Sequence, residues 1–149
     1  MHVHGMSSPE EYARFLEHTA YEVDSLFREL LISVTSFFRD EPAYEALEHE
    51  LTRLVELKTN HEPLRAWIAG CATGEEAYSI AIVFKEVLQR TGKDLKIQLF
   101  ATDLDHQAVD VARVGRYPDG IAADVSPERL KRYFTKEDTG YRVAKMCAR

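Results

Sequence analysis

Apolar positions in the first third of the chain recur at helical spacing. Tyr12, Phe15 and Leu16, then Val23, Leu26, Phe27, Leu30 and Leu31, fall three and four residues apart and share one helical face. Ser8-Pro9-Glu10-Glu11 opens this run: Ser8 caps it, Pro9 suits the first turn, and Glu11 completes a capping box. The gap between Glu17 and Glu22 divides the run into two helices. Tyr44, Leu47, Leu51, Leu54 and Val55 form a second stripe, opened by Asp40-Glu41-Pro42 and closed between Asn60 and Pro63. Residues 33–39 lie between the stripes. They mix β-branched, hydroxyl and aromatic side chains, break the period, and read as a loop.

The pattern changes at Leu64. Residues 64–69 are apolar apart from Arg65 and predict a strand, and Gly70 to Gly74 predict a tight turn. A helix follows over 75–90, burying Ala77, Ile80, Ala81, Phe84, Val87 and Leu88, and Gly92 stops it. Residues 95–102 predict a second strand, and Asp105 caps a short helix running to Val114. Strand, helix, strand, helix in that order predicts a parallel α/β sheet. Residues 116–124 read as a loop containing glycine and proline. Ser126-Pro127-Glu128 starts a short helix through Tyr133, and two short strands flank the Asp138-Thr139-Gly140 turn. There is no internal repeat and no low-complexity tract. Only two strands of the main sheet are visible, and a two-stranded parallel sheet makes a poor core. The sequence therefore reads as part of a larger domain, or as a chain that completes its sheet in a strand-exchanged or intertwined homodimer.

Composition narrows the function classes. The 149 residues suit one domain with a short appendage. Nineteen Lys and Arg against 25 Asp and Glu give a net charge of −6, the wrong sign for a chain that coats nucleic acid. No apolar stretch reaches membrane-spanning length, and residues 1–10 lack the basic start and apolar core of a secretory signal. Cys71 and Cys147 form no CxxC and no metal-like spacing, so a reduced, cytoplasmic chain is expected. His2 and His4 near the N-terminus lack the scaffold a metal site needs, and no metal is expected.

Candidate chemistry concentrates at two strand ends. Trp67-Ile68-Ala69-Gly70-Cys71-Ala72-Thr73-Gly74-Glu75-Glu76 sits where the first strand hands over to a helix, and its glycines allow a sharp turn and close backbone approach to a ligand. Thr73 and Glu76 have the spacing of a second capping box. No lysine follows the last glycine, and Glu75 and Glu76 crowd the helix N-terminus where a phosphate would lie. Such a turn favours a ligand with hydroxyls or positive charge. The second strand ends in Phe100-Ala101-Thr102-Asp103-Leu104-Asp105, and a carboxylate at position 103 can accept both hydroxyls of a ribose. Together these features predict a nucleoside cofactor other than a dinucleotide, and S-adenosylmethionine fits: a ribose diol, an amino-acid tail and a sulfonium cation. Plainer readings compete. Gly70 and Gly74 also suit a simple tight turn, Asp103 a solvated cap, Glu75 a charge favoured by the helix dipole, and Cys71 a small buried side chain.

These segments, with residues 30–40 (Leu-Leu-Ile-Ser-Val-Thr-Ser-Phe-Phe-Arg-Asp), Glu76-Ala77-Tyr78-Ser79-Ile80-Ala81 and Gly115-Arg116-Tyr117-Pro118, resemble the CheR family of chemotaxis-receptor methyltransferases, the protein-glutamate O-methyltransferases. The resemblance implies an α/β, partial Rossmann-like, S-adenosylmethionine-dependent methyltransferase fold preceded by N-terminal helices. It divides the chain into a helical remnant, 1–33, and the first part of the methyltransferase domain, 34–149. It implies methyl transfer from S-adenosylmethionine, leaving S-adenosylhomocysteine, to glutamate carboxylates on a receptor's cytoplasmic helices. The cofactor residues it implies are Ser33, Thr35, Arg39, Ala69, Gly70, Gly74, Glu76 and Asp103, with Arg39 also assisting the transfer. A guanidinium suits that role, because it is a permanent cation that can orient a carboxylate. Such a transfer depends mainly on bringing oxygen, methyl carbon and sulfur into line.

Departures temper what the resemblance implies. Ser33 stands where the family commonly has asparagine, and Ala77 where some members have proline. The family's later strands, with an asparagine-rich cofactor segment and a tyrosine, lie beyond Arg149, so the chain is expected to hold part of the active site. The competing expectation is a non-catalytic module, derived from that family, that binds cofactor, a protein partner or itself. A nicotinamide dehydrogenase is disfavoured by Ala72 at the middle glycine position and by Glu75-Glu76, and a nucleic-acid methyltransferase by the negative charge.

Overall fold

The computed structural model describes residues 6, 8–30, 35–59 and 62–144. The chain divides into two compact units, within residues 1–32 and 33–149. The first contains helices α1 (Pro9–Glu17) and α2 (Ala20–Leu30), broken within the gap noted between Glu17 and Glu22. Ser8 caps α1 by accepting the Glu11 N–H at 3.2 Å. Tyr12 donates its hydroxyl to Glu22 Oε1 at 2.9 Å. The predicted apolar stripe forms but is not buried, since Val23, Phe27 and Leu30 stay exposed. Among the described residues of this unit, two short helices have no third element to seal the stripe. Leu31 and Ser33 lie outside the described residues.

The second unit is α/β. It runs α3 (Glu41–Leu57), β1 (Leu64–Ala69), α4 (Glu75–Thr91), β2 (Ile97–Thr102), α5 (His106–Val114), β3 (Arg116–Tyr117), a 3-10 turn (Asp119–Ala123), α6 (Pro127–Tyr133), β4 (Phe134–Glu137) and β5 (Gly140–Val143). β1 and β2 pair in parallel, with Leu64 opposite Ile97 and Ala69 opposite Thr102. The remaining strands form an antiparallel sheet in the order β3-β5-β4. Two expectations need correction. β2 starts at Ile97, and Leu95 serves as a buried core side chain before it. Residues 116–124, expected as a loop, contain β3 and the 3-10 turn, with Tyr117 and Ile121 buried. A two-residue strand paired to distant Tyr141 and Arg142 leaves no period to read.

α4 lies between two hydrophobic clusters. Val83, Phe84, Val87 and Leu88 pack with Leu51 and Val55 of α3 and with Leu64, Ala66, Ile97 and Leu99 of the parallel sheet. Ile82 joins Phe37, Tyr117, Val125, Tyr133, Phe134 and Val143 in the other. The helix is thus buried on two sides, where its periodicity predicted one. Leu54, expected in the α3 stripe, is exposed. Phe38 packs against both clusters.

Among the described residues of this unit, none packs over the opposite face of the parallel sheet. Trp67 and Phe100 are register partners there, 72% and 57% exposed. Polar links cross this face: Arg65 Nε donates to Gln98 Oε1 at 2.8 Å, and Trp67 Nε1 donates to Thr102 Oγ1 at 2.9 Å. Among the described residues no helix is long and apolar enough to cross a membrane.

Candidate functional site

The C-terminal ends of β1 and β2 meet at Ala69 and Thr102. The chain then turns sharply, and the Gly70 and Cys71 N–H groups both donate to the Thr102 carbonyl, at 2.8 and 3.0 Å. Gly70, Ala72 and Gly74 adopt left-handed backbone, with φ of 73°, 44° and 98°. For Ala72 that conformation costs about 1–2 kcal/mol. An offset is visible: its N–H donates to Asp103 Oδ2 at 2.7 Å. The other oxygen, Oδ1, accepts the Asp105 N–H at 2.8 Å. Asp103 therefore clasps the end of β2 to the turn through two charge-assisted hydrogen bonds. Sequence reasoning weighed Asp103 as a sugar acceptor or a solvated cap and missed the clasp, which spans 31 positions.

The turn leads into α4, but the expected Thr73–Glu76 capping box does not form. The N-cap is Gly74, with no side-chain cap bond, and Thr73 Oγ1 instead donates to Glu75 Oε2 at 2.6 Å. Left-handed Gly74 starts the helix one residue later than the box requires. Asp105 does cap α5, accepting the Gln107 N–H at 2.9 Å. Glu75 is half-buried and Glu76 exposed in the first turn of α4, where the helix dipole favours both. Cys71 is buried. Desolvation, with the nearby charges of Asp103 and Glu76, raises its thiol pKa, so it packs as an apolar side chain.

The two glycines differ in surroundings. A Cβ at Gly74 would lie 2.7 Å from Ala112 Cβ and 3.0 Å from Tyr117 Oη, so α5 and β3 press directly on the turn. Tyr117 donates to the Thr73 carbonyl and Tyr78 to the Ala112 carbonyl, both at 2.8 Å. A Cβ at Gly70 would meet nothing within 4 Å. Open space therefore adjoins the backbone beside Asp103. A carboxylate has about four lone-pair sites, and backbone amides engage one on each oxygen here. This set fits a ligand with a vicinal diol and a cationic centre, and it opposes a phosphate.

The 35–39 segment reaches the same helix. Thr35 is half-buried and Arg39 exposed. Between them Phe37 is buried, edge-on to Tyr117 at 4.9 Å and to Phe134 at 5.4 Å between ring centroids. The Phe38 N–H donates to Ser79 Oγ at 3.1 Å, and the Ser79 hydroxyl donates to the Glu75 carbonyl at 2.7 Å. The structure thus gathers Ala69, Gly70, Gly74 and Asp103 at one turn, sets Glu76 on the adjoining helix, and fastens the residues between Thr35 and Arg39 to that helix. Ser33 lies outside the described residues. Sequence reasoning missed Ser79 and Tyr117. The available signal for the first was a serine one turn before Ile82 and Val83 in the apolar stretch of the helix. Among the described residues no group of three or more His, Cys, Asp or Glu is arranged to hold a metal; His2, His4 and Cys147 lie outside them.

Residues 33–149 match the family model described as CheR methyltransferase, SAM binding domain. A 104.1 kDa uncharacterized protein in the hypE 3' region of Rhodobacter capsulatus is 40% identical over 133 residues, 89% of this chain and 14% of that protein. A chemotaxis protein methyltransferase of Borreliella burgdorferi is 32% identical over 134 residues, 87% of this chain and 47% of its own length. Chemotaxis protein methyltransferase 2 of Pseudomonas aeruginosa is 33% identical over 140 residues, 94% of this chain and 48% of its own length. The chain thus spans about half the length of the chemotaxis methyltransferases it matches.

Proposed function

The chain belongs to the CheR methyltransferase family and carries its SAM-binding domain, and on that premise we propose that it takes part in methyl transfer from S-adenosylmethionine to glutamate carboxylates on the cytoplasmic helices of a chemotaxis receptor. The observation that carries this proposal is Asp103, a carboxylate at the end of β2 that is clasped to the Gly70–Gly74 turn and borders open space at Gly70. In this reading β1-α4-β2-α5 is the first half of a Rossmann-like fold in the cytoplasm, and the chain supplies part of the active site.

Each residue then has a physical task. Asp103 accepts the ribose hydroxyls with the lone pairs that Ala72 and Asp105 leave unused. Gly70, after the small Ala69, leaves room for the ligand to approach the backbone, and Gly74 lets α5 and β3 pack against the turn and hold its shape. Glu76 adds negative charge near a cationic ligand. Ser33 and Thr35 offer short hydroxyl contacts, and Arg39 orients a carboxylate through its planar fork of donors. When bound, S-adenosylmethionine supplies the electrophilic methyl group.

Calorimetric titration of the whole chain with S-adenosylhomocysteine tests the proposal. Saturable heat is expected, together with its loss in Asp103→Ala while circular dichroism stays native. A native chain that gives no saturable heat sinks it. The exposed Trp67–Phe100 face favours a second reading, a self-assembling module in which a second copy packs over that face. Sedimentation distinguishes the two: a dimer without cofactor heat supports the module, and a monomer with it supports the methyltransferase.

A further inference from the structure

We propose that Arg129 is a positioning residue for Phe38 and Arg39 and acts through the ring of Phe38. The link to the site rests on the proposed role of Arg39; the mechanical role stands apart from it. Arg129 lies on α6, where its N–H donates to Ser126 Oγ at 3.3 Å. Its guanidinium forms a fork with Glu86 of α4: Nε donates to Oε1 at 3.1 Å and Nη2 to Oε2 at 2.8 Å. Both side chains are about three-quarters buried, 28% and 23% exposed. The same guanidinium lies 4.2 Å from the centroid of the Phe38 ring. Tyr44 meets that ring edge-on at 5.2 Å.

Phe38 needs such support. Its φ of 50° is left-handed, a conformation that bulky residues adopt only when their surroundings over-determine it. The Ser79 hydroxyl holds its N–H, and Tyr44 and Arg129 hold its ring. The preceding residue, Phe37, is fixed independently in the aromatic cluster. Loss of the stack therefore loosens Phe38 and, through it, the backbone of the next residue, Arg39, ahead of α3. Thr35 lies behind the Phe37 anchor and is shielded. Arginine is specifically required, because one planar group must present its edge to Glu86 and its face to the ring. A lysine ammonium cannot do both.

The test is amide hydrogen exchange on the whole chain, read at Phe38 and Arg39 with Val87 of α4 as the core reference. Arg129→Gln is expected to speed exchange at Phe38 about tenfold, in keeping with the strength of such stacking, and to leave Val87 unchanged. Arg129→Lys is expected to behave like Arg129→Gln, and Glu86→Gln to give a smaller acceleration of the same pattern. Unchanged Phe38 exchange, a parallel rise at Val87, or full protection in Arg129→Lys overturns the proposal. Should Arg129→Gln not fold, Glu86→Gln decides by the same readout. Titration with S-adenosylhomocysteine separates the layers. If the native chain gives no heat, the cofactor proposal fails while the exchange pattern still decides the role of Arg129. If it does bind, Arg129→Gln is expected to weaken affinity several-fold, and unaltered affinity removes Arg129 from the site.

Discussion

The two sheets of the 33–149 unit are finished differently. The antiparallel sheet β3-β5-β4 is closed by Phe37, Ile82 and Tyr133, and its own Tyr117, Phe134 and Val143 are 5–6% exposed. Among the described residues of this unit, the parallel pair β1-β2 is covered on the side of α3 and α4, and Trp67 and Phe100 on its other side are exposed. Parallel strands are ordinarily covered on both faces. The Gly70–Gly74 turn proposed to bind ligand sits at the mouth of this pair, tied through Ala72 to the Asp103 carboxylate and through Gly70 and Cys71 to the Thr102 carbonyl. The aromatic sheet supplies the anchorage instead: Phe37 for the 35–39 segment and Tyr117 for the turn. Packing strength and candidate chemistry thus occupy different parts of one unit, in line with the uneven stability of folded chains.

That contrast can be broken first at a glycine in the closed sheet. A Cβ on Gly140 would fall 2.1 Å from the Tyr117 carbonyl oxygen. Gly140→Ala is expected to cost about 3–5 kcal/mol in urea unfolding, and a loss under about 1 kcal/mol would mean this sheet yields. Next comes Tyr117→Phe, which strands the Thr73 carbonyl and should cost about 1–2 kcal/mol at neutral pH. Burial raises the Tyr117 phenol above its ordinary value of 10.0. Below that pH both folded and unfolded chains keep the proton; above it the unfolded chain loses it first. Stability therefore falls as pH rises beyond 10, by up to about 1.4 kcal/mol per pH unit for this group, and Tyr117→Phe should remove that share of the slope.

Smaller effects belong to the open sheet. Gly70→Ala meets no neighbour, so only its left-handed backbone resists, at about 1–2 kcal/mol. The added methyl should weaken S-adenosylhomocysteine binding more than it weakens the fold. Trp67→Ala is expected to change stability by no more than about 0.5 kcal/mol. As the single tryptophan, Trp67 should be quenched readily by acrylamide. Concentration-dependent protection from quenching would instead show this face covered by another copy.

What the sequence made legible was what local pattern controls. Gly92 stops α4 and Asp105 caps α5 because those signals act within a few residues. The strand at Leu64–Ala69 and the helix at Pro127–Tyr133 were equally readable. The Thr73–Glu76 box was a correct motif defeated by the left-handed Gly74 beside it. Distant pairings were invisible: Ala72 with Asp103 across 31 positions, Arg129 with Glu86 across 43, and β3 with β5. For the site, the motifs pointed to Gly70, Gly74 and Asp103. They could not reveal that Asp103 also shapes the turn, nor that Ser79 and Arg129 fasten the segment ahead of Arg39.

Asp103 answers to two masters, and this narrows its substitutional freedom. Glutamate adds a methylene that pushes its oxygens past the Ala72 and Asp105 amides, asparagine turns one of the two acceptors into a donor, and alanine offers neither. In a saturation library scored separately for stability and for ligand capture, nearly every replacement at position 103 should fold with reduced stability and fail capture, whereas many replacements of its neighbour Leu104, 73% exposed, should leave stability unchanged.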